Sequence, residues 1–523
     1  MDRRRFLREA GRAAIAAPPL AALLAACTSS STSAPPTSAT TRSPSPSHGG
    51  PPPWDQLSSK LSGSLILPSS SSYATARLAY DPRFDGVHPA AIVKAASAQD
   101  VAATIAFART NALPFAARAG GHSYGGYSLS TGIVIDLSAM AHVQAQPSSH
   151  SVTIGPGARL IQVATALAQS GSALPGGTCA TVGISGLTMG GGQGVLGRNF
   201  GLTCDSLTSA DVVLADGSTV TANATTHPDL YWALRGGGGG NFGVVTSFTF
   251  STHALSQLTV FSLEWPWSAA EKVTAAWQSW APAAPAPLWS SLRLRWIPGS
   301  GPSVSVAGAW SAAAAGLPQH LKALAAGVGS APTSSVQTMS YLAAEQYFAG
   351  CTGYSLSECA LTIDGGKLSR EASLAKSDFF TKPMSSGAIG SLLGTIEDRA
   401  GTPALASQSG GVLFDSWGGK IAQVAPNATA LPARNSTYLA QEFVTFDSLS
   451  DAAVSANQQW LGSLWQGLRS SVSGLAYVNY IDPQLSDWQQ VYYGSNLARL
   501  VQVKQTYDPD DVFRFAQSIP VST

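Results

Sequence analysis

A single histidine, His122, lies between two pairs of glycines in the segment RAGGHSYGGYS, residues 118–128. Glycines on both sides of one side chain indicate a backbone with unusual φ and ψ angles, or one that lies very close to a ligand. The alternative is a glycine-rich turn with a solvated histidine, and this segment taken alone slightly favours the turn.

A second glycine-rich segment spans residues 176–207 and contains Cys179. Glycine at this density predicts backbone amides packed against a large planar or anionic group, because amides without side chains form nests for phosphate. A third glycine run, RGGGGGNFGVV, occupies residues 235–245. None of these segments matches the P-loop pattern G-x-x-x-x-G-K-[ST]. None is a Rossmann G-x-G-x-x-G turn between a strand and a helix either.

The elements that carry these segments alternate between helix and strand. Ser97-Ala98-Gln99-Asp100 resembles a capping box, and the apolar face that follows predicts a helix near residues 98–111. Further predicted elements are strands at 133–137, 152–154 and 245–250, a helix at 158–170, and a hairpin over 210–221 with Asp216-Gly217 at its turn. Residues 255–475 then combine tryptophan-rich strands at 260–265, 291–296 and 304–310 with alanine-rich helical stretches. The pattern predicts two α+β units in succession.

Four segments, in this order, resemble the berberine bridge enzyme-like branch of the FAD-linked oxidases, whose flavin domain is of the vanillyl-alcohol-oxidase (PCMH) type. They are RAGGHSYGGYS, GGTCATVGISGLTMGGGQGVLGRNFGLTCDSL, LRGGGGGNFGVV and the C-terminal stretch from YVNYIDPQ to FRFAQSIP. The resemblance extends from Tyr80 to Pro520. It implies an α+β fold with a two-part FAD-binding domain at 66–252 and a substrate domain at 253–475, where helices cover an antiparallel sheet. A C-terminal segment, 476–523, would return to the FAD domain.

By this resemblance, FAD is held by two covalent bonds, from His122 to the 8α-methyl carbon and from Cys179 to C6 of the flavin. An oxidised isoalloxazine is electron-poor enough to accept an imidazole and a thiolate. The other residues implied in FAD binding are Arg118, Gly120, Gly121, Ser123, Gly183, Gly186, Gly190, Gly191, Gly192, Gly243, Val245 and Asn496. No metal site is predicted. Outside this motif, Cys179 would be interpreted as a buried structural thiol.

The resemblance also implies an oxidation by hydride transfer to flavin N5, with a base that takes the hydroxyl proton. Tyr480, in NYID, matches the family's catalytic tyrosine, and Gln441 and Tyr124 are expected beside it. A free phenol has a pKa of about 10, so the surroundings of Tyr480 must favour the phenolate if it is the base at neutral pH. A packed core tyrosine is the alternative for this position.

Val182 falls where members of the family differ in the access of dioxygen to the reduced flavin. A valine there, rather than a leucine, implies an oxidase that forms hydrogen peroxide. The implied substrate is a carbohydrate or oligosaccharide hydroxyl, oxidised at the anomeric carbon to a lactone. The alternatives are a tailoring oxidase or dehydrogenase of secondary metabolites and, from another class, a surface lipoprotein that binds a ligand without chemistry.

The N-terminus predicts export. Arg3-Arg4-Arg5 and the apolar stretch that ends at Cys27 resemble a twin-arginine signal followed by a lipobox, which would place the protein outside the cytoplasm with lipid on Cys27. An ordinary signal peptide with an incidental cysteine is the alternative. The signal is assigned to residues 1–27, and a linker rich in serine, threonine and proline to residues 28–65.

The remaining cysteines and the charge balance complete the prediction. In an export compartment, Cys351 and Cys359 are near enough in sequence for a disulfide, which leaves Cys204 as a buried thiol. The 30 basic and 29 acidic side chains almost cancel, so no basic surface for nucleic acid is indicated. The predicted partners are a small-molecule substrate and dioxygen, with membrane contact through the lipid alone.

Overall fold

The computed structural model describes residues 50, 52–446 and 449–522, which form helices and four β-sheets. The helices are α1 (Trp54–Ser58), α2 (Tyr73–Ala76), α3 (Ala98–Thr110), α4 (Leu160–Ala168), α5 (Ile184–Met189), α6 (Gly197–Phe200), α7 (Pro228–Ala233), α8 (Ala270–Ala283), α9 (Leu317–Val328), α10 (Tyr341–Phe348), α11 (Ser386–Glu397), α12 (Pro403–Ala406), α13 (Asp451–Leu468), α14 (Trp488–Tyr493) and α15 (Leu497–Tyr507). The strands are β1 (Ser64–Ile66), β2 (Ala91–Lys94), β3 (Phe115–Arg118), β4 (Ile133–Asp136), β5 (Val143–Gln146), β6 (Ser151–Ile154), β7 (Ser172–Ala173), β8 (Leu207–Val213), β9 (Thr219–Asn223), β10 (Val244–Ser251), β11 (His253–Ala254), β12 (Gln257–Trp265), β13 (Leu288–Ile297), β14 (Gly301–Trp310), β15 (Thr333–Ser340), β16 (Ala372–Phe380), β17 (Ser409–Ser416) and β18 (Tyr438–Phe446).

The first sheet has the order β1-β2-β4-β3, in which β4 pairs in parallel with β2 and β3. The predicted helix at 98–111 is confirmed as α3. The hydroxyl of Ser97 accepts a hydrogen bond of 3.2 Å from the Asp100 amide at its first turn. Buried Val101 and Ile105 pack this helix on the sheet. The His122 segment begins directly at the carboxyl end of β3.

The second sheet is antiparallel, with the order β5-β6-β10-β8-β9. The predicted hairpin is confirmed, because Val213 pairs with Thr219 across the Asp216-Gly217 turn. Gly217 has a φ of +86°, a left-handed conformation that glycine adopts without steric cost. The Cys179 segment begins shortly after the short strand β7, and Cys179 itself lies between β7 and the helix α5.

A seven-stranded antiparallel sheet, β15-β12-β14-β13-β17-β18-β16, forms the second unit. Successive side chains of β13 point to opposite faces. Leu292 and Leu294 pack against α8, α11 and α13, within a cluster that also contains Trp277 and Leu464. The other face of the same strand borders a cavity. The predicted antiparallel sheet covered by helices is therefore confirmed.

The C-terminal segment returns to the second sheet. Val478, Tyr492 and Leu500 are buried in one cluster with Val152 and Phe248 of that sheet. This arrangement confirms the predicted fold class, including the contribution of the last residues to the first unit. No helix in the described part of the chain combines the length and hydrophobicity needed to cross a membrane.

The predicted linker, residues 28–65, extends too far into the folded chain. Residues 54–58 form α1, and 64–66 form β1, which pairs with β2. Leu57 is fully buried in the cluster that contains α3, and Leu61 and Leu65 pack against the same cluster. These three leucines are spaced four residues apart, and the serine-rich composition obscured that apolar pattern. The predicted signal, Cys27 and the linker up to residue 49 lie outside the described residues.

The cysteines of the folded part are arranged as predicted. Cys351 and Cys359 form a disulfide, with a Cα–Cα distance of 5.6 Å. Cys204 is a free, fully buried thiol, and burial raises its pKa to about 12. Cys179 is also free, but it is partly exposed. Of the two free thiols that the structure describes, Cys179 is therefore the one that an electrophile could reach.

Candidate active site

A cavity of about 610 Å³ lies between the first two sheets, the C-terminal segment and the polar face of the seven-stranded sheet. The structure brings many of the predicted site residues to its wall. These are Gly120, Gly121, His122, Ser123, Tyr124, Cys179, Val182, Gly183, Gly186, Gly243, Val245, Gln441 and Tyr480. They come from segments more than 300 residues apart in the chain, as the 317-residue separation of Tyr124 and Gln441 illustrates.

Two glycines bring the His122 and Cys179 segments together. A Cβ atom at Gly120 would lie 2.2 Å from the amide nitrogen of Gly183, and one at Gly183 would lie 2.4 Å from that of Gly120. Neither distance is tolerated between nonbonded atoms. The glycine density predicted backbone packed against a ligand, but these two glycines pack against each other's loop. Their contact places the imidazole and the thiol on one cavity.

His122 is held on two sides. Its Nε2 lies 3.0 Å from the hydroxyl oxygen of Thr181, two residues after Cys179. Its ring stacks on that of Tyr80, with 4.0 Å between centroids and an interplanar angle of 19°. The amide of Tyr80 in turn donates to the carbonyl of Gly121. The imidazole is therefore oriented before any ligand binds.

Aromatic and amide side chains surround Tyr480 on the wall of the cavity. Its ring meets that of Tyr124 edge to face, with 5.8 Å between centroids, and that of Tyr477 at 5.1 Å. Gln441 Nε2 donates a 2.9 Å hydrogen bond to the Tyr124 hydroxyl. The three predicted residues Tyr480, Gln441 and Tyr124 thus form one connected group.

Asp415 is a site residue that sequence reasoning missed. It lies on β17, lines the cavity and accepts a 2.7 Å hydrogen bond at Oδ2 from Gln193 Nε2. Burial raises the pKa of Asp415 to about 6. The hydroxyl of Ser291, the charge of Arg293 and the amide of Gln193 act in the opposite direction. A carboxylate with this pKa can hold or release a proton near neutral pH.

The expectation that the surroundings of Tyr480 favour the phenolate is wrong for this structure. Burial, and next the charge of Asp415, raise the pKa of Tyr480 well above its usual value, and a hydrogen bond with Gln193 only partly opposes them. Tyr480 is therefore a neutral phenol at neutral pH. Asp415, by contrast, is a cavity-lining carboxyl group whose pKa of about 6 allows it to accept a proton near neutral pH.

The sequence contained a signal for Asp415 and for its hydrogen-bond donor Gln193, neither of which was among the predicted site residues. Asp415 is the one charged residue in the buried strand SGGVLFDS, at a position that alternates with the core-facing Phe414. Gln193 is the one polar side chain within the run GGGQG. A polar side chain where its neighbours are apolar or absent indicates a special environment.

Five predicted FAD-binding residues do not line the cavity: Arg118, Gly190, Gly191, Gly192 and Asn496. Arg118 forms a buried ion pair of 2.7 Å with Asp136. A Cβ at Gly190 would meet the side-chain amide of Asn479 at 2.0 Å, and one at Gly191 would lie 3.3 Å from the ring of Tyr477.

The other two of these residues also bond within the protein. The amide of Gly192 donates to the Tyr477 hydroxyl at 2.8 Å. Asn496 Nδ2 bonds to the main-chain carbonyls of Pro426, Thr429 and Ala430. These residues therefore hold the cavity wall from behind, because their polar groups are already satisfied by protein.

Comparison with known proteins identifies the family. The FAD binding domain profile matches residues 89–223, and the berberine and berberine-like profile matches residues 476–520. The chain is 36% identical to the uncharacterized FAD-linked oxidoreductase YgaK of Bacillus subtilis, over 88% of this chain and 97% of that protein. The chain belongs to the berberine bridge enzyme-like FAD-linked oxidoreductases.

Two further relatives of this FAD-linked oxidoreductase agree. A xylooligosaccharide oxidase of Thermothelomyces thermophilus is 32% identical, over 82% of this chain and 87% of the relative. The solved structure of the Physcomitrella patens protein BBE-like 1 has a TM-score of 0.81 at 28% identity, and covers 90% of this chain and 99% of that one. The fold and the family resemblance of the sequence are both confirmed by these matches.

The residues of the cavity fit FAD as the cofactor of this oxidoreductase. The wall combines the main chain of three glycine-rich segments with two nucleophilic side chains, His122 and Cys179. Backbone amides without side chains are suited to phosphate, and an imidazole and a thiol are suited to an electron-poor ring. No group of three or more His, Cys, Asp or Glu side chains that could bind a metal ion occurs among residues 50, 52–446 and 449–522.

The glycine contact between the two loops predicts the effect of one methyl group. In Gly120→Ala the new Cβ must displace the main chain at Gly183, so we expect a loss of about 1–3 kcal/mol of stability and a lower FAD content per chain. Gly86→Ala is the matched control, because a Cβ at Gly86 has no atom within 4 Å. Thermal unfolding and the ratio of flavin to protein absorbance measure both effects. Equal values for the two variants would contradict the prediction.

Proposed function

We propose that this FAD-linked oxidoreductase is an oxidase of a carbohydrate hydroxyl group, which removes a hydride and a proton from one CH–OH unit. The observation that carries the proposal is the presence of Asp415 and Tyr480 on the same cavity as His122 and Cys179. FAD, when bound, accepts the hydride at N5 and delivers the electrons to dioxygen, forming hydrogen peroxide. The CH–OH carbon of the substrate becomes a carbonyl carbon, and the product is a lactone if that carbon is the anomeric one.

His122 and Cys179 are proposed to hold FAD covalently, through the 8α-methyl carbon and C6. Three features support this role. Both side chains line the same cavity, Tyr80 and Thr181 fix the imidazole, and Cys179 is partly exposed whereas Cys204 is buried. Two bonds would retain the cofactor in an open cavity that admits a large substrate.

Asp415 and Tyr480 are proposed to bind the substrate hydroxyl group and to remove its proton. Tyr480, as a neutral phenol, orients the substrate hydroxyl by a hydrogen bond, and the proton passes to the Asp415 carboxylate. This direction follows from the pKa values, because Asp415 has a pKa of about 6 and Tyr480 one well above its usual value. The Tyr124 and Gln441 pair borders Tyr480 and completes the wall at this point.

A carbohydrate is proposed as substrate on two grounds. The xylooligosaccharide oxidase is similar over most of its length. The cavity wall combines Trp289 of β13 and Phe348 of α10, whose rings meet edge to face at 6.0 Å, with Ser291 and Arg293 of β13. Aromatic rings beside a few polar groups suit a sugar. A tailoring oxidase or dehydrogenase of secondary metabolites is the second candidate, since the same wall would accept an aromatic alcohol.

Dioxygen is proposed as the electron acceptor. Val182 lines the cavity three residues from Cys179, and its carbonyl accepts from the amide of Leu160, so its position is fixed. A valine side chain is smaller than the leucine that would obstruct a path to the flavin. The protein is further proposed to be exported and lipidated at Cys27. The proposed division is a first unit that begins at α1 (Trp54–Ser58) and ends at residue 252, a substrate unit at 253–475 and a C-terminal segment at 476–523.

A substrate screen tests the proposal. The purified protein is expected to be yellow, and a series of oligosaccharides, sugars and alcohols is mixed with it without oxygen. We expect an oligosaccharide to bleach the flavin, and aerated buffer to restore the colour with formation of hydrogen peroxide. Bleaching by aromatic alcohols alone would favour the second candidate. A reduced flavin that stays reduced in air would exclude an oxidase, and a colourless protein would leave only a ligand-binding lipoprotein.

A further inference from the structure

Gln193 is held in a fixed position by its glycine neighbours. Gly192 has a φ of +85°, and a Cβ at Gly194 would lie 1.6 Å from the carbonyl oxygen of Gly176, so neither position accepts another residue without strain. The main-chain amides of Gly192 and Gln193 both donate to the hydroxyl of Tyr477, at 2.8 and 3.2 Å. The main chain under the Gln193 side chain is therefore rigid.

The side chain of Gln193 reaches both proposed proton-handling groups. Its Nε2 donates a 2.7 Å hydrogen bond to Asp415 Oδ2. Its amide also hydrogen-bonds to Tyr480, where it favours the ionised phenol. The glutamine lines the cavity together with both partners. It thus connects a residue of the seven-stranded sheet to one of the C-terminal segment.

The charges and polar groups around Asp415 define what Gln193 adds. Ser291 and Arg293 face Asp415 from β13, and Gln193 faces it from the glycine-rich loop. Tyr480 lies beside Asp415 from the C-terminal segment and has the rings of Tyr124 and Tyr477 as neighbours. Ser291 and Arg293 act on the Asp415 carboxylate, whereas Gln193 bonds to both that carboxylate and the Tyr480 phenol.

We propose that Gln193 is a positioning residue, which holds the Asp415 carboxylate and the Tyr480 phenol in register for the proton transfer. The proposal rests on the oxidase function proposed above and deepens it. A side-chain amide does not ionise, so Gln193 can hydrogen-bond to both the carboxylate and the phenol without taking up the substrate proton itself. Without the hydrogen bonds from Gln193, the carboxylate and the phenol would no longer be held at a fixed position relative to each other.

The variant Gln193→Leu tests the proposal, because leucine has a similar size and no polar group. The measurement is the rate of flavin reduction by saturating substrate, by anaerobic rapid mixing across pH. We expect the maximal rate to fall about tenfold to 100-fold. The wild-type rate should increase with pH around the Asp415 pKa of about 6. Without the Gln193 hydrogen bond, which lowers that pKa, the midpoint should move to higher pH.

Two further variants separate positioning from folding. Gln278→Leu removes another buried glutamine, which bonds to the main chain of Met384 outside the cavity, and should leave the midpoint unchanged. Gln193→Glu keeps the shape but adds a second carboxyl beside Asp415, so its midpoint should also increase; it decides the matter if the leucine variant does not fold. Wild-type midpoints in both Gln193 variants would overturn the proposal. If no substrate reduces the wild type, the proposed function itself fails instead.

Discussion

The variant His122→Ala/Cys179→Ala is expected to lose its yellow colour when it is precipitated with acid and washed, whereas each single variant should stay yellow. The reason is the proposed double attachment: either bond alone retains the flavin in a denatured chain. The two side chains lie on one cavity, brought there by the contact of Gly120 with Gly183. The measurement is the flavin absorbance of the washed pellet, redissolved in denaturant, per mole of chain.

Matched controls exist for both positions. Cys204→Ala removes the other free thiol, which is fully buried with a pKa of about 12, and should keep all of the flavin. His88→Ala removes an exposed histidine outside the cavity and should do the same. Flavin lost from Cys179→Ala alone would show a single bond through the cysteine. Flavin retained by the double variant would remove both residues from the attachment.

The parts of the fold that the sequence predicted are those governed by local patterns. The helix start at Ser97, the Asp216-Gly217 turn and the alternating strands of the second unit were all found where expected, although Asp100 bonds to Ser62, Gly63 and Ala96 and does not complete a capping box with Ser97. Each depends on hydrogen bonds or packing within a few residues. The predicted linker boundary was wrong because the fold around Leu57 is stabilised by its packing against α3, which begins more than forty residues later in the chain.

The same distinction between local and long-range signals applies to the site residues. His122 and Cys179 could be identified from their motifs, because the surrounding glycines are a local signal. Asp415 and Gln193 become partners only through the fold, since 222 residues separate them. The pKa of Tyr480 depends on that same long-range contact, so the sequence could name the tyrosine but not its protonation state.

Asp415→Asn is expected to slow reduction of the flavin by substrate by about 10²–10⁴-fold at neutral pH, because an amide cannot accept the hydroxyl proton. In the wild type, burial gives Asp415 a pKa of about 6, so the carboxylate is present above that pH and is protonated below it. The rate should therefore fall as the pH decreases through about 6. In Asp415→Asn this dependence should disappear, because the titrating group is gone.

A second buried carboxyl provides the control for this prediction. Glu442 is fully buried on the neighbouring strand β18, where burial raises its pKa to about 7, and it alternates with the cavity-lining Gln441. The fall in rate below about pH 6 is called the acid limb. Glu442→Gln should therefore keep this acid limb, whereas Asp415→Asn should lose it. Tyr480→Phe should keep the limb at a lower maximal rate, because the phenol orients the substrate but does not titrate near neutral pH. If the limb disappears in Tyr480→Phe and persists in Asp415→Asn, the tyrosine is the base, and the direction of proton transfer inferred from the two pKa values is wrong.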